Sequence, residues 1–157
     1  MAVDRSGEFR VGSSWLPAAC YIKQASNEGT DLLKNAKPLL PGALDVVISC
    51  NAGQLEGTVR NADRQPAPGA RAVLVPNLER KRSELFKEAT ADKNGQYRIS
   101  GIAPGNYKLY AWENLEPYSY FDPEVLKKFE SRGQPVTIQQ PSKETMDLTI
   151  IPDGSTP

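Results

Sequence analysis

Proline and glycine interrupt this chain so often that long helices do not fit between them. Thirteen prolines and twelve glycines are spread over 157 residues. Proline removes a backbone donor and glycine invites a turn, so both act as punctuation. Between the breaks lie short runs in which apolar and polar residues alternate, the period of a half-buried strand. Residues 54–61 set Leu55, Gly57 and Val59 against Glu56, Thr58 and Arg60. After a turn-rich connection at 62–69, residues 70–76 carry Ala72-Val73-Leu74-Val75, apolar on both faces as in a strand near the middle of a sandwich. Residues 77–84 read as a charged loop, with Arg80, Lys81 and Arg82 solvated between Glu79 and Glu84.

Residues 85–91 predict a third strand. Asp92-Lys93-Asn94-Gly95 is a tight turn in which Asn94 and Gly95 tolerate positive φ, and residues 96–100 return with Tyr97 and Ile99 inward. A turn at Ala103-Pro104-Gly105-Asn106 leads into residues 107–112, where Tyr107, Leu109 and Ala111 oppose Lys108, Tyr110 and Trp112. One short helix is signalled. Asp122 caps it, Pro123 suits its first position, Glu124 favours its positive end and Gly133 lies beyond it, while Val125, Leu126 and Phe129 form its apolar face. Residues 136–138 and 145–151 supply the last strands, the latter alternating Met146, Leu148 and Ile150. About seven short strands in about 100 residues predict an all-β, seven-stranded Greek-key sandwich over residues 52–152 with one short helix. Residues 153–157 form a tail.

Residues 1–51 read as the second half of a preceding unit of the same kind. Asp4-Arg5-Ser6-Gly7-Glu8-Phe9-Arg10-Val11 aligns with Asp92-Lys93-Asn94-Gly95-Gln96-Tyr97-Arg98-Ile99. Trp15-Leu16-Pro17 then matches Ile102-Ala103-Pro104, Cys20 and Ile22 match Tyr107 and Leu109, and Leu44-Asp45-Val46-Val47-Ile48 matches Met146-Asp147-Leu148-Thr149-Ile150. Self-similarity of this kind suggests a tandem array. A partial unit exposes strand edges and apolar faces, so it is expected to pack on the intact domain or pair with a second copy as a homodimer.

The composition excludes several functions. There is no histidine, so histidine-based triads and the commonest metal ligand are absent. Two cysteines cannot make a four-cysteine zinc site, and no metal or cofactor is expected. Lysine plus arginine equals aspartate plus glutamate at 19 each, without the basic stripe that nucleic acid demands. No run approaches the roughly 18 apolar residues of a membrane-spanning helix. The opening MAVDRSGEFRV lacks the apolar stretch of a signal peptide.

Gly57-Thr58-Val59, Pro68-Gly69-Ala70, Thr90 through Ile99 and Ile102-Ala103-Pro104-Gly105-Asn106-Tyr107-Lys108-Leu109 together form a pattern that resembles the carboxypeptidase regulatory-like domain. That domain is related in fold to transthyretin, to the B-type repeats of collagen adhesins and to starch-binding-like modules. The resemblance covers residues 52–152 well and 4–50 weakly. It implies a prealbumin-like, carbohydrate-binding-like sandwich in an exported bacterial protein, periplasmic, secreted or at the cell surface. It also implies a non-catalytic spacer, folding aid or binding module whose partners are neighbouring domains, with Tyr107 as a corner tyrosine packed in the core. Some relatives crosslink themselves through a lysine on the first strand. Residues 54–61 hold no lysine, so no such bond is expected.

Two candidate features remain. Trp112, Tyr118, Tyr120 and Phe121 cluster about Glu113, and aromatic faces with a nearby carboxylate form a candidate carbohydrate-binding patch. The competing reading is that the rings pin the loop and helix onto the sandwich. Cys20 and Cys50 are the second feature. Cys20 replaces the tyrosine expected at its turn and should point inward, while Cys50 ends the following strand segment. A bridge between them closes a loop of about 30 residues and stabilises by roughly 3–4 kcal/mol. Two buried free thiols are the other reading.

Overall fold

The computed structural model describes residues 2–3, 9–10, 14–35 and 40–153. The sandwich consists of β6 (Gly53–Arg60), β7 (Arg71–Pro76), β8 (Lys87–Thr90), β9 (Gln96–Ile102), β10 (Gly105–Trp112), α1 (Pro123–Lys128), β11 (Gln134–Ile138), β12 (Lys143–Thr145) and β13 (Leu148–Thr149). One sheet has the order β11-β10-β7-β8. The facing sheet centres on β6, with β9 antiparallel to it and β12 and β13 parallel to it. The chain passes between sheets at β6–β7, β8–β9, β9–β10 and β11–β12, as a β-sandwich requires. Ahead of the sandwich, β1 (Ala2–Val3) pairs with β2 (Phe9–Arg10), and β3 (Tyr21–Asn27), β4 (Thr30–Asp31) and β5 (Leu44–Ser49) form a sheet of order β4-β3-β5.

Alternation places the core. Leu55 and Val59 of β6, Tyr97 and Ile99 of β9, and Tyr107, Leu109 and Ala111 of β10 fill the space between the sheets, with Ala72 and Leu74 of β7. The other face of β7 and β10 is also covered. Val73, Val75, Tyr110 and Trp112 lie under Phe86, Tyr120, Leu126 and Ile151 in a second core. That is why β7 is apolar on both faces: it lies between β10 and β8 in its sheet and between two layers in depth. Tyr107 forms the expected corner. Its ring is buried and its hydroxyl donates to the Ala103 carbonyl at 2.7 Å.

Four details differ from the sequence reading. The third strand is shorter, running only from Lys87 to Thr90, because Ser83–Leu85 form a 3-10 turn first. Arg82 is not solvated. Its side chain is held by Glu84 at 2.6 Å and Glu79 at 3.2 Å, and Arg80 reaches Glu130. Only Gly95 of the 92–95 turn has positive φ; the turn is closed by Asp92 Oδ1, which accepts from the amides of Asn94 and Gln96. The last strand is split at Met146 and Asp147. There the Met146 carbonyl takes the Tyr97 hydroxyl at 2.5 Å, and the Asp147 carboxylate accepts from the Thr58 amide at 2.9 Å. A methyl group on Gly57 would sit 2.0 Å from that Met146 oxygen, so glycine admits the close approach.

The N-terminal sheet differs in its pairing. Leu44–Ile48 aligns by pattern with residues 146–150, yet β5 runs antiparallel to β3, as β11 does to β10, whereas β13 runs parallel to β6. Most of the aligned turn, residues 4–8 and 11, and tail residues 154–157 lie outside the described residues.

Candidate functional site

The aromatic loop after β10 is built outward from the second core. Trp112 ends β10 and is 2% exposed. It stacks on Tyr110 with ring centroids 5.0 Å apart and meets the edge of Phe129 at 5.7 Å. α1 brings Phe129 there. The helix starts at Asp122, whose Oδ1 accepts from the Glu124 amide at 2.9 Å, and Pro123 needs no donor at its first position. Leu126, on the inner side of this single short helix, is fully buried.

Tyr120 is carried by a 3-10 turn over Ser119–Phe121 and is also in the second core, 5% exposed, beside Phe86. Glu113 clasps the end of the domain: its Oε2 accepts from the Asp153 amide at 2.8 Å, and its own amide donates to Ile151. Of the five candidate residues, Glu113, Tyr118 and Phe121 are exposed, the two rings at 71% and 39%. These two rings stack at 6.4 Å, and Tyr118 has the left-handed φ of 65° that a bulky residue adopts only when its surroundings hold it there. The structure thus divides the loop into two buried rings, two surface rings and an exposed carboxylate that holds the Asp153 amide.

The tyrosines report the packing electrostatically. Burial pushes Tyr97 and Tyr107 far above the ordinary phenol range, with the Asp147 charge adding to the effect at Tyr97. Burial also pushes Tyr110 and Tyr120 up to about 12, with Glu130 and Glu88 adding to the effect respectively. A raised folded pKa gives stability that is present below the unfolded value and lost as pH rises through the folded one. Alkaline unfolding is therefore expected above about pH 10. A spectrophotometric titration should show these four phenols ionising together with loss of far-ultraviolet structure; early, independent ionisation of all four would count against the packing described.

Glu130 is a smaller ionic node. The Lys108 ammonium at 2.5 Å holds its carboxyl below the usual range, with the Arg80 guanidinium helping.

At the junction with the N-terminal sheet, Cys20 and Cys50 are bonded. The register that pairs Tyr21 with Ser49 sets Cys20 opposite Cys50 one step further, so the bridge closes across neighbouring strands. Cys20 is buried, as its place in the turn predicts. The sheet is tied to the sandwich by the Tyr21 hydroxyl on Gln140 Oε1 at 2.7 Å, by Gln140 Nε2 on Ser49 Oγ and by the Ala52 amide on the Ala19 carbonyl. Sequence reasoning missed Asn27. Its buried amide bonds Leu40 twice and Ala43 once, fastening the loop before β5. An asparagine in a strand gives no local sign of such a role.

Among the described residues no group of three or more metal-ligating side chains is assembled, and no helix is long and apolar enough to cross a membrane.

The sequence pattern of the carboxypeptidase regulatory-like domain matches residues 54–150. No curated protein matches the chain. Among solved structures, a candidate carbohydrate-binding protein of Pseudomonas aeruginosa is similar at 15% identity with a TM-score of 0.44, over 63% of this chain and 88% of that one. The TIE protein of Bacillus anthracis is similar at 11% identity and a TM-score of 0.43, over 68% of this chain and 19% of that one. The minor pilin of Streptococcus agalactiae is similar at 20% identity and a TM-score of 0.42, over 68% of this chain and 48% of that one. The chain thus spans less than half the length of the latter two proteins.

Proposed function

Because the chain belongs to the carboxypeptidase regulatory-like domain family, we propose that it is a non-catalytic structural and interaction module of an exported protein, holding neighbouring domains apart or presenting them. One observation carries this reading. The aromatic residues best suited to a ligand platform are used to build the second core: Trp112 and Tyr120 are 2% and 5% exposed, and Glu113 fastens the end of the domain. A sequence without histidine agrees with a scaffold role. The Cys20–Cys50 bridge supports an oxidising compartment outside the cytoplasm. In this reading residues 1–51 are a partial unit of the same kind, docked on the intact one.

A second reading rests on Tyr118 and Phe121. Two stacked, outward rings, one held in left-handed backbone, offer a face on which a pyranose ring could lie. Titration of the isotope-labelled chain with starch, cellulose and xylan fragments separates the two. The structural reading expects no amide shifts at residues 113–121. Saturable shifts centred on Tyr118 and Phe121 would replace it with the sugar-binding one.

A further inference from the structure

Among the described residues the sandwich opens on β6 and closes on β12 and β13, and these strands lie side by side and parallel. Lys143 to Thr145 match Gln54 to Glu56, and Leu148 and Thr149 match Val59 and Arg60. A tight hairpin cannot make such a pair, because parallel neighbours need a long crossover. Here residues 61–142 are the crossover, and they carry the rest of the sandwich, β7 to β11. Gly53, where the chain enters the sandwich, and Ile150, where it leaves the pair, therefore sit at opposite ends of one strand pair.

The pair is bonded along its length. The Gln54 amide donates to the Ser142 carbonyl, the Met146 amide to Glu56 and the Ile150 amide to Arg60, each at 2.8 Å. Where the last strand breaks, the Asp147 carboxylate takes the Thr58 amide at 2.9 Å and the Tyr97 hydroxyl holds the Met146 carbonyl. Lys143 adds an ion pair to Glu56 at 2.9 Å. On its other edge β6 is held by β9. Beyond the pair, the Ile151 amide donates to Ala111 and its carbonyl accepts from Glu113, which fastens the outgoing chain to the end of β10. Drawing β6 out along its axis must break ladders on both of its edges.

Direction decides how such a ladder fails. Strands drawn apart along their length strain all their backbone bonds at once, and none fails ahead of its neighbours. Strands drawn apart from one end meet the bonds singly, and each alone is a weak net interaction. Tension between polypeptide ahead of β6 and polypeptide after β13 takes the first form, because it pulls the parallel pair from opposite ends. We propose that β6 with β12 and β13 is a tension-bearing clamp, so that the module transmits pulling force between the segments on its two sides as well as spacing them. This rests on the spacer reading. Residues 61–142 are drawn upon only after the clamp fails.

The test is single-molecule pulling of the whole, disulfide-bonded chain in two geometries at one speed. In the first, handles are joined to the two ends of the chain. In the second, one handle moves to Asp63, an exposed residue just past β6, so that the pair is opened from one end. Opening of the sandwich is recognised by a release of roughly 300 Å, the length of its extended residues less its folded span. Through the ends it is expected in one step, at a force at least about twofold that of the second geometry, since forced unfolding follows the barrier on the pulled path. Asp147→Ala, which takes the carboxylate from the Thr58 amide, should lower the force through the ends only. Equal forces in the two geometries overturn the proposal. So does an early release of roughly 35 Å through the ends, the length of residues 143–152 peeling away first. Both of those results leave the spacer reading intact, whereas sugar-dependent shifts at Tyr118 and Phe121 would remove that reading and leave the rupture forces as they are.

Discussion

Replacing Trp112 with alanine is expected to lower the unfolding free energy by about 3–5 kcal/mol, the range for a large aromatic removed from a packed interior. For a domain of this size that corresponds to a fall in melting temperature of about 15 °C or more. The indole is the hub of the second core: it stacks on Tyr110, receives Phe129 edge-on and is almost wholly buried. Without it, α1 and the 113–121 loop lose the surface they rest on. Trp112→Phe should cost much less. The indole N–H has no acceptor among the described residues, so phenylalanine gives up volume and no hydrogen bond. Urea unfolding of the three proteins checks both statements. An alanine variant within about 1 kcal/mol of the parent would mean that the ring is not packed as described.

The second large effect concerns the disulfide. Changing both Cys20 and Cys50 to alanine removes a crosslink between residues separated by 30 in sequence. For a loop of that length the loss is roughly 3–4 kcal/mol. It should fall on one part of the molecule. Among the described residues the buried cluster of the sheet β4-β3-β5 is small, Ile22, Ala25 and Leu32, while the sandwich has a separate and larger one. Hydrogen exchange should quicken across Tyr21–Asn27 and Leu44–Ser49, and the amides of Leu74 and Leu109 should keep their protection. Uniform loss across both regions would mean that the two unfold as one unit.

Local pattern carried most of the sandwich. Alternation in 54–61 and 96–100 located β6 and β9, and the run Ala72–Val75 announced a strand covered on both faces. Asp122-Pro123-Glu124 marked the start of α1 to the residue. What the sequence hid depends on partners distant along the chain. The break at Met146 and Asp147 exists because Gly57 and Tyr97 meet that carbonyl, and nothing near residue 146 signals them. Arg82 sits in a charge run that reads as solvated until Glu79 and Glu84 are seen to fold back on it.

The site was legible only in outline. The aromatic cluster was visible as composition, but burial decides the role of each ring, and Trp112 and Tyr118 look alike in a string of letters. Likewise β5 carries a pattern common to many strands. Only its pairing with β3 shows that Cys20 faces Cys50.

That bond has a mechanical consequence. On the proposed spacer role, the module would be pulled from its ends. Between Cys20 and Cys50 the load travels through two sulfur atoms, and residues 21–49 lie off its path. At about 3.3–3.6 Å per extended residue, roughly 100 Å of slack is withheld while the bond stands. The N-terminal sheet, with the smaller core, is therefore the part of the molecule shielded from stretching. Cutting the bond would turn a short rigid link into a longer, compliant one.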